Sequence, residues 1–182
     1  MNEKVIFKQI GVIDFIDLTK NRINEVADLI ISTYKDEKIW SNFTIGQMEE
    51  ELLASFKNIL YKPSFFIALS NNKVVGVGSY MCSHISMQAY ELSFGTVHKD
   101  YQKKGIGTFL IYLRLREIIK ERTDAVIFAR CRKPEMFQKF GFRFIKKYLG
   151  KSSAGSEYLY CPAEEITFSF LSPSCQKFTL NR

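Results

Sequence analysis

The chain has 182 residues, is 46% hydrophobic and 25% charged, and carries a formal charge of +7. That balance fits a folded, soluble chain long enough to bury a core, and it argues against extensive disorder. No apolar run approaches the roughly 20 residues that span a bilayer. The charged start (Glu3, Lys4, Lys8) lacks the apolar stretch of a signal peptide, so a cytoplasmic protein without a membrane partner is expected. The cysteines, Cys82, Cys131, Cys161 and Cys175, form no CxxC pair and the chain has only 2 histidines. Free thiols and no metal site are the expectation.

In chain order, residues 13–18 read as a short strand, with a second candidate before it at 5–10. Residues 21–34 place Ile23, Val26, Ala27, Ile30 and Ile31 at helical spacing. A second helix opens at Thr44, where Thr44-Ile45-Gly46-Gln47 has the spacing of a capping box. Its apolar stripe is Met48, Leu52, Leu53, Phe56, Ile59 and Leu60, and Pro63 ends it. The period then changes to two. Residues 65–69 and 74–81 form a hairpin about the turn Asn71-Asn72, and 90–97 is the next strand. Two glycines, Gly105 and Gly107, lead into a helix over 104–120, in which Ile106, Phe109, Leu110, Leu113 and Ile118 are apolar and Arg114, Arg116 and Lys120 polar. Residues 125–129 suit a buried strand beside 90–97. Pro134 fits the first turn of a short helix ending at Gly141. Residues 142–148 and 157–160 read as closing strands around the flexible 150–155 loop, and the tail beyond Pro162 has no clear period.

The junction at 97–108 is the most informative stretch. Glycines let the backbone turn tightly and approach a ligand closely. A helix beginning there aims unpaired N–H groups and partial positive charge at one point, which suits phosphate. Lys103 and Lys104 add full charges. Residues 99–151 hold 15 Lys and Arg against 5 Asp and Glu, so the chain's positive excess follows the turn directly. A solvated basic face explains this equally well; a polyanion-receiving surface explains why it coincides with the turn.

The run Gln102-Lys103-Lys104-Gly105-Ile106-Gly107, with Val97 upstream, matches the Q/R-x-x-G-x-G/A signature of the GNAT superfamily of N-acetyltransferases. Phe137-Gln138-Lys139-Phe140-Gly141-Phe142 is similar to its second marker, an aromatic helix ending in Gly-Phe. The resemblance runs over about 13–160 and leaves 161–182 as a C-terminal extension of a single acetyltransferase domain spanning 1–182. It implies an α/β (α+β) fold: a mixed, mostly antiparallel twisted sheet flanked by helices. A V-shaped splay is expected between the fourth and fifth strands counted from residue 13, that is between 90–97 and 125–131. It implies acetyl-CoA as cosubstrate. The diphosphate would lie on Gln102, Lys103, Lys104, Gly105, Ile106, Gly107 and Thr108, mostly on main-chain atoms. The pantetheine arm would pair with the backbone of Gly95, Thr96 and Val97.

An alkylammonium acceptor has a pKa near ~10.4, so a base must take its proton before it attacks a thioester. Glu91 is the candidate. It lies six residues before Val97, roughly 20 Å at about 3.3 Å per strand residue. Alternation along the strand would put it on one face with Ser93 and Gly95. Its offset also resembles that of the glutamate base in the histone acetyltransferase branch. An exposed strand carboxylate with no role is the plain alternative. Many relatives carry a tyrosine four residues before the glycine of Gly-Phe, to protonate the departing thiolate; here Phe137 stands there. Tyr148, Tyr158, Tyr160, Cys131 or water would have to serve instead. An asparagine frequent after the preceding strand is also missing, and Cys131-Arg132-Lys133 occupies its place.

Other sites find no support. A Rossmann turn needs glycine where Leu110 stands, and neither a Walker loop nor a G-x-S-x-G elbow occurs. His84 and His98 read as structural or solvent-facing. Trp40, Ile39 and Phe43 fall between the first two helices, bordering either an acceptor site or core. Cys131, among Arg130, Arg132 and Lys133, could have a lowered pKa. The leading reading is an N-acetyltransferase acting on a primary amine of a small molecule or protein. A CoA-binding regulatory or interaction module without turnover, and an acetyltransferase acting on an RNA-borne amine, are the alternatives. A homodimer is compatible with the sequence, which does not decide it.

Overall fold

A computed structural model describes residues 1–7, 9–36, 44–145 and 156–171. Ile39, Trp40, Phe43, Tyr148, the 150–155 loop and Cys175 lie outside them. An eight-stranded sheet has the order β1-β2-β3-β4-β5-β6-β8-β7. The first two strands, β1 (Asn2–Phe7) and β2 (Gly11–Asp17), form a hairpin, slightly earlier than the period alone suggested. The next pair, β3 (Ser64–Ser70) and β4 (Lys73–Cys82), joins through Asn71 and Asn72. Both have positive φ, 48° and 62°, as a two-residue type I′ turn requires. Every neighbouring pair in the sheet is antiparallel except β5 (Ala89–Val97) with β6 (Val126–Cys131). The closing strands are β7 (Arg143–Phe144) and β8 (Glu157–Pro162); the remainder of the expected strand over 142–148 lies outside the described residues beyond Ile145.

Apolar side chains cover both faces of the sheet. On one face, helices α1 (Ile23–Asp36) and α2 (Ile45–Ala54) bury Val26, Ile30, Met48 and Leu52 against Ile67, Leu69 and Val77. The Thr44 capping box forms as the spacing predicts, with Gln47 N–H donating to Thr44 Oγ1 at 3.2 Å. The helix nevertheless stops at Ala54, well before Pro63. Phe56, Ile59 and Leu60 are exposed, Leu60 at 73%, so the expected stripe ends at Leu52. On the other face lies α3 (Ile106–Glu121), with Ile106, Leu110, Tyr112, Leu113 and Leu115 fully buried. Arg114 and Arg116, read as polar positions, are buried too. Arg116 pairs with Glu3 of β1 at 2.5 Å, so the N-terminal hairpin supplies its counter-charge. The short helix α4 (Pro134–Gln138) starts on its proline as expected.

The tail gains its order from packing rather than period. Phe168 meets Tyr112 and Phe140 edge-on, and Leu171 is buried. Gly141 has φ +101°, and a Cβ there would lie 2.8 Å from Glu165 O. Gly141→Ala combines left-handed strain with a backbone clash and should destabilise the protein by about 1–3 kcal/mol. Gly46→Ala, with open space around it, should stabilise by about 0.5 kcal/mol. Thermal unfolding of the two variants gives the comparison.

The end of α3 ties down β4 and β5. Tyr80 Oη and Tyr90 Oη donate to the two oxygens of Glu121, at 2.7 and 3.2 Å. Burial, then the Glu121 carboxylate, pushes both phenols up, Tyr90 to about 12. Folding thus favours the protonated phenols. Their contribution is complete below the ordinary tyrosine pKa of about 10 and should drain away as pH rises toward 12. Ultraviolet titration should show two late-ionising tyrosines in the native protein, and Glu121→Gln should bring them down.

Candidate active site

The parallel pairing of β5 and β6 runs from Ala89–Val126 to Leu92–Ala129. Beyond Leu92 the strands continue without pairing among the described residues, which opens the wedge expected between them. The amides of β5 alternate between β4 and this gap. His98 N–H donates to Val75 O at 2.9 Å, so Thr96, two residues back, also turns toward β4, while Val97 and Gly95 turn toward the gap. The pantetheine expectation is thereby narrowed, because Thr96 pairs with Val77 and its side chain is buried. Val97 O already accepts a hydrogen bond from Gln102 Nε2 at 3.0 Å. That bond fixes the start of the glycine turn to the strand edge.

At the open end of the gap, Lys103 (φ +59°) and Gly105 (φ +95°) bring the chain into α3. Gly105 is the N-cap and offers no side-chain acceptor. The first hydrogen bond back to it comes from Phe109 N–H at 3.0 Å, so the N–H groups of Ile106, Gly107 and Thr108 lack intrahelical partners. A 16-residue helix with an uncapped start adds its partial positive charge there. The glycines also have a packing reason. A Cβ on Gly105 would lie 3.0 Å from the Phe7 ring, and one on Gly107 3.1 Å from Met136 Cε. A phosphate group fits this donor set.

The basic excess is narrower than composition implied. Arg114 is buried, Arg116 and Lys120 pair with Glu117, Arg122 with Asp124, and Arg143 with Glu165. Near the turn the exposed cations are Lys99 and Lys103. Lys104 Nζ donates to Asp100 O at 2.6 Å and lies 5.5 Å over the Tyr101 ring.

At the closed end stands Glu91, exposed, opposite Met81 of β4 and Phe128 of β6. Ser83 Oγ, buried at the end of β4, donates to Glu91 Oε1 at 2.8 Å. Its neighbours Tyr90 and Leu92 join the core under α3, so Glu91 and Ser93 project from the opposite face, the one α1 covers further along. Gly95 does not share that face. The ladder passes from Ser79–Ser93 to Val77–Thr96, which leaves two residues of β5, Phe94 and Gly95, opposite Gly78. This bulge, with Phe94 at φ +49°, inverts the alternation, and a Cβ on Gly95 would approach Arg114 of α3 at 3.6 Å.

One expectation about the neighbouring groups changes. Cys131 does not have a lowered pKa: burial dominates, and its thiol is pushed up to about 12. Phe137 is a half-buried ring meeting Phe142 edge-on, with no proton to give. Sequence reasoning missed Ser83, whose link to Glu91 depends on the 83–88 loop folding back through Ser83 N–H to Ala89 O, 2.6 Å. It also missed Arg114, signalled only by an arginine inside an apolar run.

Among the described residues no group of His, Cys, Asp and Glu could hold a metal ion, and no helix is long and apolar enough to cross a membrane. The family described as acetyltransferase (GNAT) domain matches residues 62–144. The chain is 27% identical over 105 residues to cysteine-rich protein 2-binding protein of Mus musculus, covering 55% of this chain and 13% of that protein. It thus spans only a small part of that relative's length. A GNAT-family acetyltransferase from Staphylococcus aureus Mu50 superposes with a TM-score of 0.63 at 18% identity, covering 84% of this chain and 99% of that one. An aminoglycoside 6'-N-acetyltransferase complexed with coenzyme A gives 0.64 at 13% identity, covering 82% and 96%. The matched segment holds the turn, the gap and both flanking strands, and around it the chain has the fold of those structures.

Proposed function

We propose that the protein is an acetyl-CoA-dependent N-acetyltransferase acting on a primary amine, of a small molecule or of a protein, by direct attack with Glu91 as general base. One observation carries this reading: a single gap in the sheet has an uncapped helix N-terminus at its open end and a carboxylate at its vertex. Glu91 lies six strand positions before Val97, roughly 20 Å, a span suited to a nucleotide-linked thioester. Acetyl-CoA, when bound, supplies the activated acetyl group.

In this reading the N–H groups of Gly105, Ile106, Gly107 and Thr108 hold the diphosphate, with Lys103 and Lys104 adding charge and Gln102 bracing the turn. Gly95 and Val97 offer main-chain groups to the pantetheine arm, and Thr96 shapes the edge from its paired position. Glu91 accepts the ammonium proton, its Oε1 oriented by Ser83. The departing thiolate takes its proton from water. Cys131, with its thiol at about 12, is a poor donor to a thiolate whose conjugate acid lies near ~8.5. The Phe137 ring leaves a second reading, a CoA-binding module without turnover, and a thiol-release assay over a panel of amines separates the two.

Thr108→Glu places a carboxylate in the first turn of α3, where it suits the helix but repels phosphate. It should preserve the fold and weaken coenzyme A binding at least about fivefold, as two like charges some 4 Å apart cost about 1–4 kcal/mol; calorimetry reads this directly. Glu91→Gln should lower kcat by about 10²–10⁴ while coenzyme affinity stays put. Equal turnover in the two proteins would remove Glu91 from the chemistry.

A further inference from the structure

Arg114 is 2% exposed and sits in the middle of α3. Among the described residues no carboxylate pairs with it. Its hydrogen bonds go instead to main-chain carbonyls: Nε to Leu110 O at 3.0 Å, and Nη1 to both Ser79 O and Ser93 O at 3.3 Å. Burying a cation without a counter-ion is expensive. Burial brings this guanidinium down to about 10, against a smaller upward pull from Tyr34. An apolar side chain would fill the same space at less cost, so the arginine calls for a reason in what it holds.

What it holds is the bulge of β5. Ser79–Ser93 is the last rung of the β4–β5 ladder before the irregularity. On one face the rung is tied by the two serine hydroxyls, 2.7 Å apart; on the other, Nη1 of Arg114 draws both carbonyls together. Two glycines make room for the guanidinium. A Cβ on Gly78 would lie 3.0 Å from Nε, and one on Gly95 3.6 Å from Nη2. Immediately beyond stands Phe94 at φ +49°, a conformation that is unfavourable for a residue with a Cβ and persists only where the surroundings enforce it. Counting alternation back from Thr96 and forward from Ser93 leaves two successive amides, Phe94 and Gly95, turned toward the gap. Successive N–H groups in such a turn make a concave anion-binding nest.

We propose that Arg114 is a positioning residue that pins the β5 bulge, so that the Phe94 and Gly95 amides are presented into the gap where an acyl oxygen would develop negative charge. This rests on the acetyltransferase reading above for its consequence in catalysis, and on the geometry of the rung for the pinning itself. Arg114 touches neither coenzyme nor acceptor; it acts through main-chain carbonyls.

The two parts are tested separately. Amide hydrogen exchange of Phe94 and Gly95, followed by NMR, requires no turnover. Arg114→Met and the milder Gly78→Ala, which crowds the guanidinium without removing it, should both speed exchange at these amides while leaving residues 65–69 of β3 protected. In steady-state assays the same variants should lower kcat, Arg114→Met by about a hundredfold as for loss of an oxyanion donor, with KM for acetyl-CoA little changed. Arg114→Lys, which keeps the charge but not the fork, should fall between. Unchanged exchange at Phe94 and Gly95 in a folded variant would overturn the pinning. Faster exchange with kcat intact, or with KM rising in step with the fall in stability, would overturn its catalytic role. Absence of thiol release by the wild-type protein would instead count against the acetyltransferase reading, leaving the exchange result to decide the pinning.

Discussion

Strand β5 loses its parallel partner after Leu92, and the candidate site follows from that interruption. A strand edge inside a sheet leaves N–H and C=O groups that must find partners elsewhere. Here some are satisfied from within. Gln102 reaches back to Val97 O. Those of Gly95 turn into the gap by the alternation of the strand. The opening is possible because both strands are anchored on their outer sides, β5 on β4 and β6 on β8, with the α3 core running beneath both.

Charge is distributed along this gap in a consistent sense. The open end has an uncapped helix start and lysines; the vertex has a carboxylate held by a serine. Between them lies the bulge, backed by a buried guanidinium. Each of these departs from what a structural sheet would prefer: an unpaired edge, a residue with a Cβ at positive φ, a buried cation that pairs with no carboxylate among the described residues. Such departures cluster where a protein binds or reacts. Other buried charges and hydroxyls meet ordinary partners, as when Glu3 pairs with Arg116 and Glu121 gathers the hydroxyls of Tyr80 and Tyr90.

Much of this was legible in the residues. The capping box at Thr44, the Asn71-Asn72 turn and Pro134 state their local structure through fixed backbone preferences. The glycine turn was legible because glycine readily takes the positive φ found at Gly105. Three features were hidden for one physical reason: they depend on pairs distant in the chain. The bulge at Phe94 cannot be seen from alternation, which predicted Gly95 on the face of Glu91. Arg114 looked like a surface residue because helical period alone cannot show two glycines on other strands waiting for a guanidinium. The order of residues 163–171 arises from Phe168 meeting Tyr112 and Phe140, contacts with no periodic trace.

In the proposed reading, one extended thioester runs along this gap from the α3 N-terminus to the Glu91 carboxylate. A crystal structure of the protein with coenzyme A tests it most directly. Phosphate oxygens should lie on the N–H groups of residues 105–108, the arm along β5, and the sulfur within reach of Glu91 directly or through one water. Coenzyme A bound elsewhere, or with its sulfur pointing away from the vertex between β5 and β6, would contradict it.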